Sequence, residues 1–194
     1  VLPEITLVIA SYLLGSVPTG LLLGKALGVD IRAAGSGNIG ATNVYRTLGR
    51  KVGILTLLGD CLKGLIPVLA ARWMGLPDIW VAAAGFAAFF GHVYTVFLRF
   101  KGGRGVATAL GVFLGTSPLS VLAAIAVFAL VLWKWRYVSL ASITTAAAMP
   151  LLVAAIDGRP LIIIMTLLIA AVVIWKHNEN ISRLRSGTEN KFKA

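Results

Sequence analysis

The chain has 194 residues, 58% of them apolar and 13% charged, with a formal net charge of +11. Runs of about 15 to 20 residues without a charge recur along its length, which excludes a soluble domain with a charged surface and describes an all-α, polytopic integral membrane protein. The basic excess does not point to nucleic acid, because the lysines and arginines sit in connectors between apolar runs, with no aromatic platforms among them.

Taken in chain order, the apolar runs predict spans at about 5–24, 52–71, 79–98, 105–117, 119–133, 138–156 and 161–175. The first has no basic segment before it and reads as a retained helix, not a cleaved signal. The fourth, of about 12 residues, reaches only ~18 Å and must be buried among its neighbours, tilted short or fused with the fifth. Counting about seven spans puts fifteen of the eighteen basic residues on one side and leaves Arg72 and Arg159 opposite, with Lys63 inside a span. By the positive-inside rule the N-terminus is then periplasmic and the C-terminus cytoplasmic. Residues 1–194 are expected to form one transmembrane domain of a bacterial inner membrane. Its cytoplasmic loops would lie at about 31–51, 99–108 and 176–191, and any functional site on that side.

The first of these loops is longer than a helical hairpin needs and contains Gly35-Ser36-Gly37-Asn38-Ile39-Gly40, then Ala41-Thr42-Asn43 and Arg46. The glycine spacing matches a dinucleotide fingerprint, but that fingerprint has meaning only between a strand and a helix, and here two spans flank it. What remains is a set of small donors beside an arginine, suited to an anion. The second loop, Phe100-Lys101-Gly102-Gly103-Arg104-Gly105, leads into the short fourth helix, whose N-terminal amides and dipole favour phosphate. The third is the tail after the last span. If the helix continues, His177, Asn180 and Arg183 lie on one face. Asn180-Ile181-Ser182 fits a glycosylation sequon, a coincidence at a cytoplasmic bacterial position.

Within the spans, Asp60 and Lys63 are spaced to face each other, as a functional pair or as an ion pair pinning the bundle. His92 reads as an interhelical histidine more readily than as a ligand contact. Ser139 and Ser142 fall at the mouth of the sixth span, where small hydroxyl residues usually pack. Cys61 is the only cysteine, so neither an intrachain disulfide nor a cysteine metal cluster can form. Two distant histidines and seven carboxylates offer no ligand set. We expect no metal and no cofactor.

Four stretches together resemble the bacterial acyl-phosphate:glycerol-3-phosphate acyltransferases. They are Gly35 to Asn43 with Arg46, Lys101 to Thr108, Val138 to Ser142, and His177 to Ile181 with Arg183. One departure is Arg104, where that family more often has lysine; arginine keeps the charge and offers a planar fork. The resemblance implies transfer of a fatty acyl group from acyl phosphate to the 1-hydroxyl of glycerol 3-phosphate, giving lysophosphatidic acid and phosphate in the first acylation of phospholipid synthesis. It also implies seven spans, with the conserved loops in the cytoplasm, and rejection of acyl-CoA and acyl-carrier protein as donors. Glycerol 3-phosphate, fatty acyl phosphate and membrane lipid are then the expected partners, with no obligatory protein partner.

Both substrates carry phosphate, and acyl phosphate has a good leaving group, so alignment and anion stabilisation can supply much of the catalysis. Ser36, Gly37, Asn38, Thr42, Asn43, Arg46, Lys101, Gly102, Gly103, Arg104 and Arg183 are assigned to substrate or phosphate binding. Ser142 and Asn180 are placed near the reacting carbonyl. His177 is the candidate general base, with a substrate phosphate oxygen as the alternative proton acceptor. Neither histidine is followed five positions later by aspartate, which excludes the histidine–aspartate acyltransferase dyad. The rival reading is a transporter of a phosphorylated metabolite, against which stand the absence of an internal repeat and the gathering of polar groups on one face.

Overall fold

Ten α-helices and one 3₁₀ turn make up the regular structure of residues 1–192, which the computed structural model describes, and there is no strand among them. Contacts divide the chain into two compact units, Val1–Thr116 and Ser117 onward.

The first unit holds α1 (Leu2–Gly15), α2 (Thr19–Ala26), α3 (Ala41–Leu48), α4 (Arg50–Trp73), α5 (Asp78–Val93) and α6 (Val106–Thr116), with the 3₁₀ turn at Val96–Leu98. The expected first span is two helices, α1 and α2, bent by 41°. Pro18, which has no N–H to continue the ladder, stands at the break. Close helix approach explains the intramembrane glycines. A Cβ on Gly111 of α6 would collide with the Cys61 carbonyl of α4, and one on Gly64 of α4 with the Thr108 carbonyl of α6. Gly15 and Gly91 meet the Ala88 and Tyr12 carbonyls in the same way between α1 and α5. Lipid gives little hydrophobic drive for helix association, so such backbone-to-backbone packing carries it.

The second unit holds α7 (Pro118–Trp135), α8 (Val138–Ile156), α9 (Pro160–Trp175) and α10 (Asn178–Arg185), with α8 packed against both α7 and α9. The outer face of α7 is apolar, with Leu119, Leu122 and Leu130 exposed, as a lipid-facing helix requires.

All seven expected runs are helical. Among the described residues, four helical segments, α4, α5 with its 3₁₀ turn, α7 and α8, are long and apolar enough to cross a membrane, and the number is six if each bent pair counts as one span. The expected fourth span is the eleven-residue α6, about 16 Å long.

Candidate functional site

The first loop is held by an apolar tack and a polar hub. Ile31 and Ile39 are buried with Leu21 of α2 and Val44 of α3, and Leu98 packs against the same cluster. Leu98 ends the 3₁₀ turn that precedes the second motif loop, so the first loop is packed against the lead-in to the second within the first unit. The hub is Asn43, buried to 2% exposure. Its amide nitrogen donates to the carbonyls of Ile31, Ala34 and Asn38 at 3.0, 3.1 and 2.8 Å. Its Oδ1 accepts the Ser36 N–H at 2.8 Å. Gly35 has φ +60°, and a Cβ there would collide with Asn43 Oδ1, so glycine answers two demands at one position. The side chain of Asn43, expected among the phosphate ligands, is engaged in shaping the loop. Ser36 and Arg46 are exposed on it, while Asn38 caps the Gly40 N–H at 3.3 Å and Thr42 is half-buried at the start of α3. Upstream, the Arg32 guanidinium hydrogen-bonds Asp30 at 2.7 Å and holds that carboxyl down at about 2.

The second loop folds back onto the end of α5. Arg99 and Phe100 take left-handed φ values of 52° and 61°, and the Gly102 and Gly103 N–H groups donate to the Val93 and His92 carbonyls, both at 3.1 Å. A Cβ on Gly103 would strike the His92 ring, and one on Gly105 the Phe89 ring. These glycines allow close approach, and two amides expected to face an anion are engaged inside the protein. Lys101 is exposed and Arg104 half-buried at the entry to α6, whose first-turn amides have no partner within the helix.

Beneath this loop is a buried charged cluster. Lys63 Nζ lies 2.8 Å from Asp60 Oδ1 and donates to the Val17 carbonyl at 2.7 Å, at the α1–α2 break. His92 Nδ1 is 3.7 Å from the same Asp60 oxygen. The side chains of Asp60, Lys63 and His92 are at most 4% exposed.

In the second unit the helix does not continue through His177. α9 and α10 are bent by 54°, and the cause is local. The His177 ring takes the Val173 carbonyl through Nδ1 at 2.7 Å, while the His177 N–H turns to Ile174 three residues back. A carbonyl only accepts, so Nδ1 carries the ring proton and Nε2 holds the lone pair in the neutral tautomer. Asn180 and Arg183 share a face of α10, as expected, and both point at a group the sequence reading missed. Glu189 accepts from Asn180 Nδ2 at 2.8 Å, Arg183 Nε at 2.7 Å and Ser139 Oγ at 2.8 Å. Burial alone would raise this carboxyl, but the three donors outweigh it and hold it below the ordinary range. The one local signal was Gly187, whose φ of +71° ends α10 and turns the chain back. Ser142 lies one turn beyond Ser139 on α8 and is 6% exposed.

Set beside known proteins, residues 5–187 match the family model described as glycerol-3-phosphate acyltransferase. A glycerol-3-phosphate acyltransferase of Geotalea daltonii is 75% identical over 190 residues, 98% of each chain. Two crystal structures of PlsY (YgiH), an integral membrane glycerol 3-phosphate acyltransferase, are also similar. The glycerol 3-phosphate form superposes with a TM-score of 0.93 and the lysophosphatidic acid form with 0.91. Each is 44% identical and covers 98% of this chain and 96% of its own.

Proposed function

Since this chain belongs to the glycerol-3-phosphate acyltransferase family, we propose that it moves a fatty acyl group from acyl phosphate to the 1-hydroxyl of sn-glycerol 3-phosphate. The hydroxyl oxygen bonds to the acyl carbon, the carbon–oxygen bond to phosphate breaks, and lysophosphatidic acid and inorganic phosphate leave. The carrier alternative has no support in an acyltransferase family. The observation that carries the reading is the match over residues 5–187, together with the Val173 hydrogen bond that keeps a proton on His177 Nδ1, so that the neutral ring would carry its lone pair on Nε2 and suit a base for the hydroxyl proton.

Ser36, Arg46, Lys101 and Arg104 hold phosphate in this reading, with Gly37, Asn38 and Thr42 supplying loop donors. Asn43 and Gly102–Gly103 act by shaping the loops, because their own polar groups already have partners. Ser142 and Asn180 serve the reacting end of the substrates. Arg183 acts through Glu189.

Seven crossings, with a periplasmic N-terminus and the site facing the cytoplasm, agree best with the charge bias of fifteen to two. The short α6 is compatible with that count: seven of its eleven residues are buried, and irregular backbone is tolerated at membrane depth where protein covers it.

The test is phosphate release from palmitoyl phosphate by purified protein in detergent, with and without glycerol 3-phosphate. Release that depends on glycerol 3-phosphate, matched by equal lysophosphatidic acid, is expected. Folded protein that releases none would rule out this donor. His177→Gln retaining more than about a tenth of the rate would remove the base role from His177, since general base catalysis is typically worth 10² to 10⁴.

A further inference from the structure

The tail after α10 is tied back onto the second unit at several points. Besides the Glu189 hydrogen bonds, the Phe192 N–H donates to the Arg136 carbonyl at 2.6 Å, and the Lys191 ammonium lies 5.9 Å from the Tyr137 ring centre. The Glu189 side chain is 6% exposed. One carboxylate thus joins the first turn of α8, through Ser139, to the face of α10 that bears Asn180 and Arg183.

The chemistry of a carboxylate fixes the Asn180 amide. An ionised carboxylate only accepts, so the group facing Glu189 must be the Asn180 NH₂, and Oδ1 must face away. That oxygen is buried and has no hydrogen-bond partner among the described residues. A buried acceptor left without a donor carries a desolvation penalty of about 1–3 kcal/mol, and in a group on the motif that bears His177 a role in the reaction is one of the explanations such an atom calls for. Glycerol 3-phosphate brings hydroxyl donors.

We infer that Glu189 is a positioning residue for the acyl transfer: it holds Asn180 Nδ2 and Arg183 so that Asn180 Oδ1 stands ready to accept a hydroxyl of glycerol 3-phosphate. This rests on the place given to Asn180 above. Glu189 itself touches no substrate. Its three donors account for its burial, and its effect on the reaction passes through Asn180.

The experiment is a double-mutant cycle between Glu189→Gln and Asn180→Ala, with the KM of each substrate measured separately. A glutamine offers one acceptor oxygen and turns an NH₂ toward groups that donate. Glu189→Gln should lower kcat/KM for glycerol 3-phosphate at least about tenfold, the scale of a charged hydrogen bond, and leave the KM for palmitoyl phosphate unchanged. In an Asn180→Ala background it should add less than about twofold, because coupled residues are not additive. If Glu189→Gln does not fold, Glu189→Asp, which keeps the charge one methylene short, replaces it in the same cycle. Equal damage to both KM values, or an undiminished effect without Asn180, would overturn the inference. If Asn180→Ala is impaired while Glu189→Gln is fully active, the positioning role alone fails; if Asn180→Ala itself keeps the wild-type rate, the assignment of Asn180 fails and takes the positioning role with it.

Discussion

Replacing Lys63 by methionine removes the cation from a carboxylate that is 2% exposed. Breaking a buried pair from one side typically destabilises by about 3–5 kcal/mol. Two features narrow that range. Methionine keeps most of the volume of the lysine stem, so little cavity cost adds to the loss. His92 Nδ1, 3.7 Å from Asp60 Oδ1, can relieve part of it if the ring moves into hydrogen-bond range. The Val17 carbonyl also loses its donor, at about 1 kcal/mol. Lys63→Met should therefore destabilise by roughly 3–4 kcal/mol, a fall in Tm on the order of 10 °C for a chain of this size. Asp60→Asn combined with Lys63→Met leaves no buried charge, only the Val17 carbonyl and the new amide to be satisfied, and should recover to within about 1–2 kcal/mol of wild type. Thermal unfolding of the four proteins of this cycle in one detergent, read by tryptophan fluorescence, measures the coupling. A double variant no more stable than Lys63→Met would refute the ion-pair reasoning. One that recovers stability but has no activity would move the pair from packing to the reaction.

Asn43→Ala should leave the fold in place but release the first loop. Losing the net worth of two to three hydrogen bonds, about 2–3 kcal/mol, should lower kcat/KM roughly 30- to 150-fold in the phosphate-release assay. Gly111→Val drives a side chain into the Cys61 carbonyl and should cost about 3 kcal/mol by forcing α4 and α6 apart, seen as a lower Tm and earlier aggregation on size exclusion. For Glu189 the sign is that of a depressed carboxyl. Its contribution to stability is complete above the ordinary value of 4.5 and is lost as the pH falls through the lower folded value. Wild-type Tm should therefore decline below about pH 4.5 more steeply than that of Glu189→Gln, and parallel profiles would count against the buried ionised carboxylate.

The helical runs could be read from the chain because a bilayer imposes a simple demand: backbone polar groups must be satisfied within each segment, and side chains must be apolar over a fixed length. The four motif stretches could be read as well, since glycines and cations stand out against that background. What each motif residue does could not be read. Asn43 looked like a phosphate ligand until its amide met carbonyls five to twelve residues away. Gly102 and Gly103 looked like anion donors until their amides met the end of α5.

Composition and spacing were thus enough to establish an all-helical membrane protein, its motif loops and, through their resemblance, its family. Tertiary structure decided the pairing of Lys63 with a carbonyl 46 residues away and the closure of Glu189 on Ser139 across 50 residues. The division has one cause. A residue's type and neighbours limit which hydrogen bonds it can make, but whether a phosphate, a carbonyl or another side chain occupies them depends on what folding brings alongside, often from far along the chain.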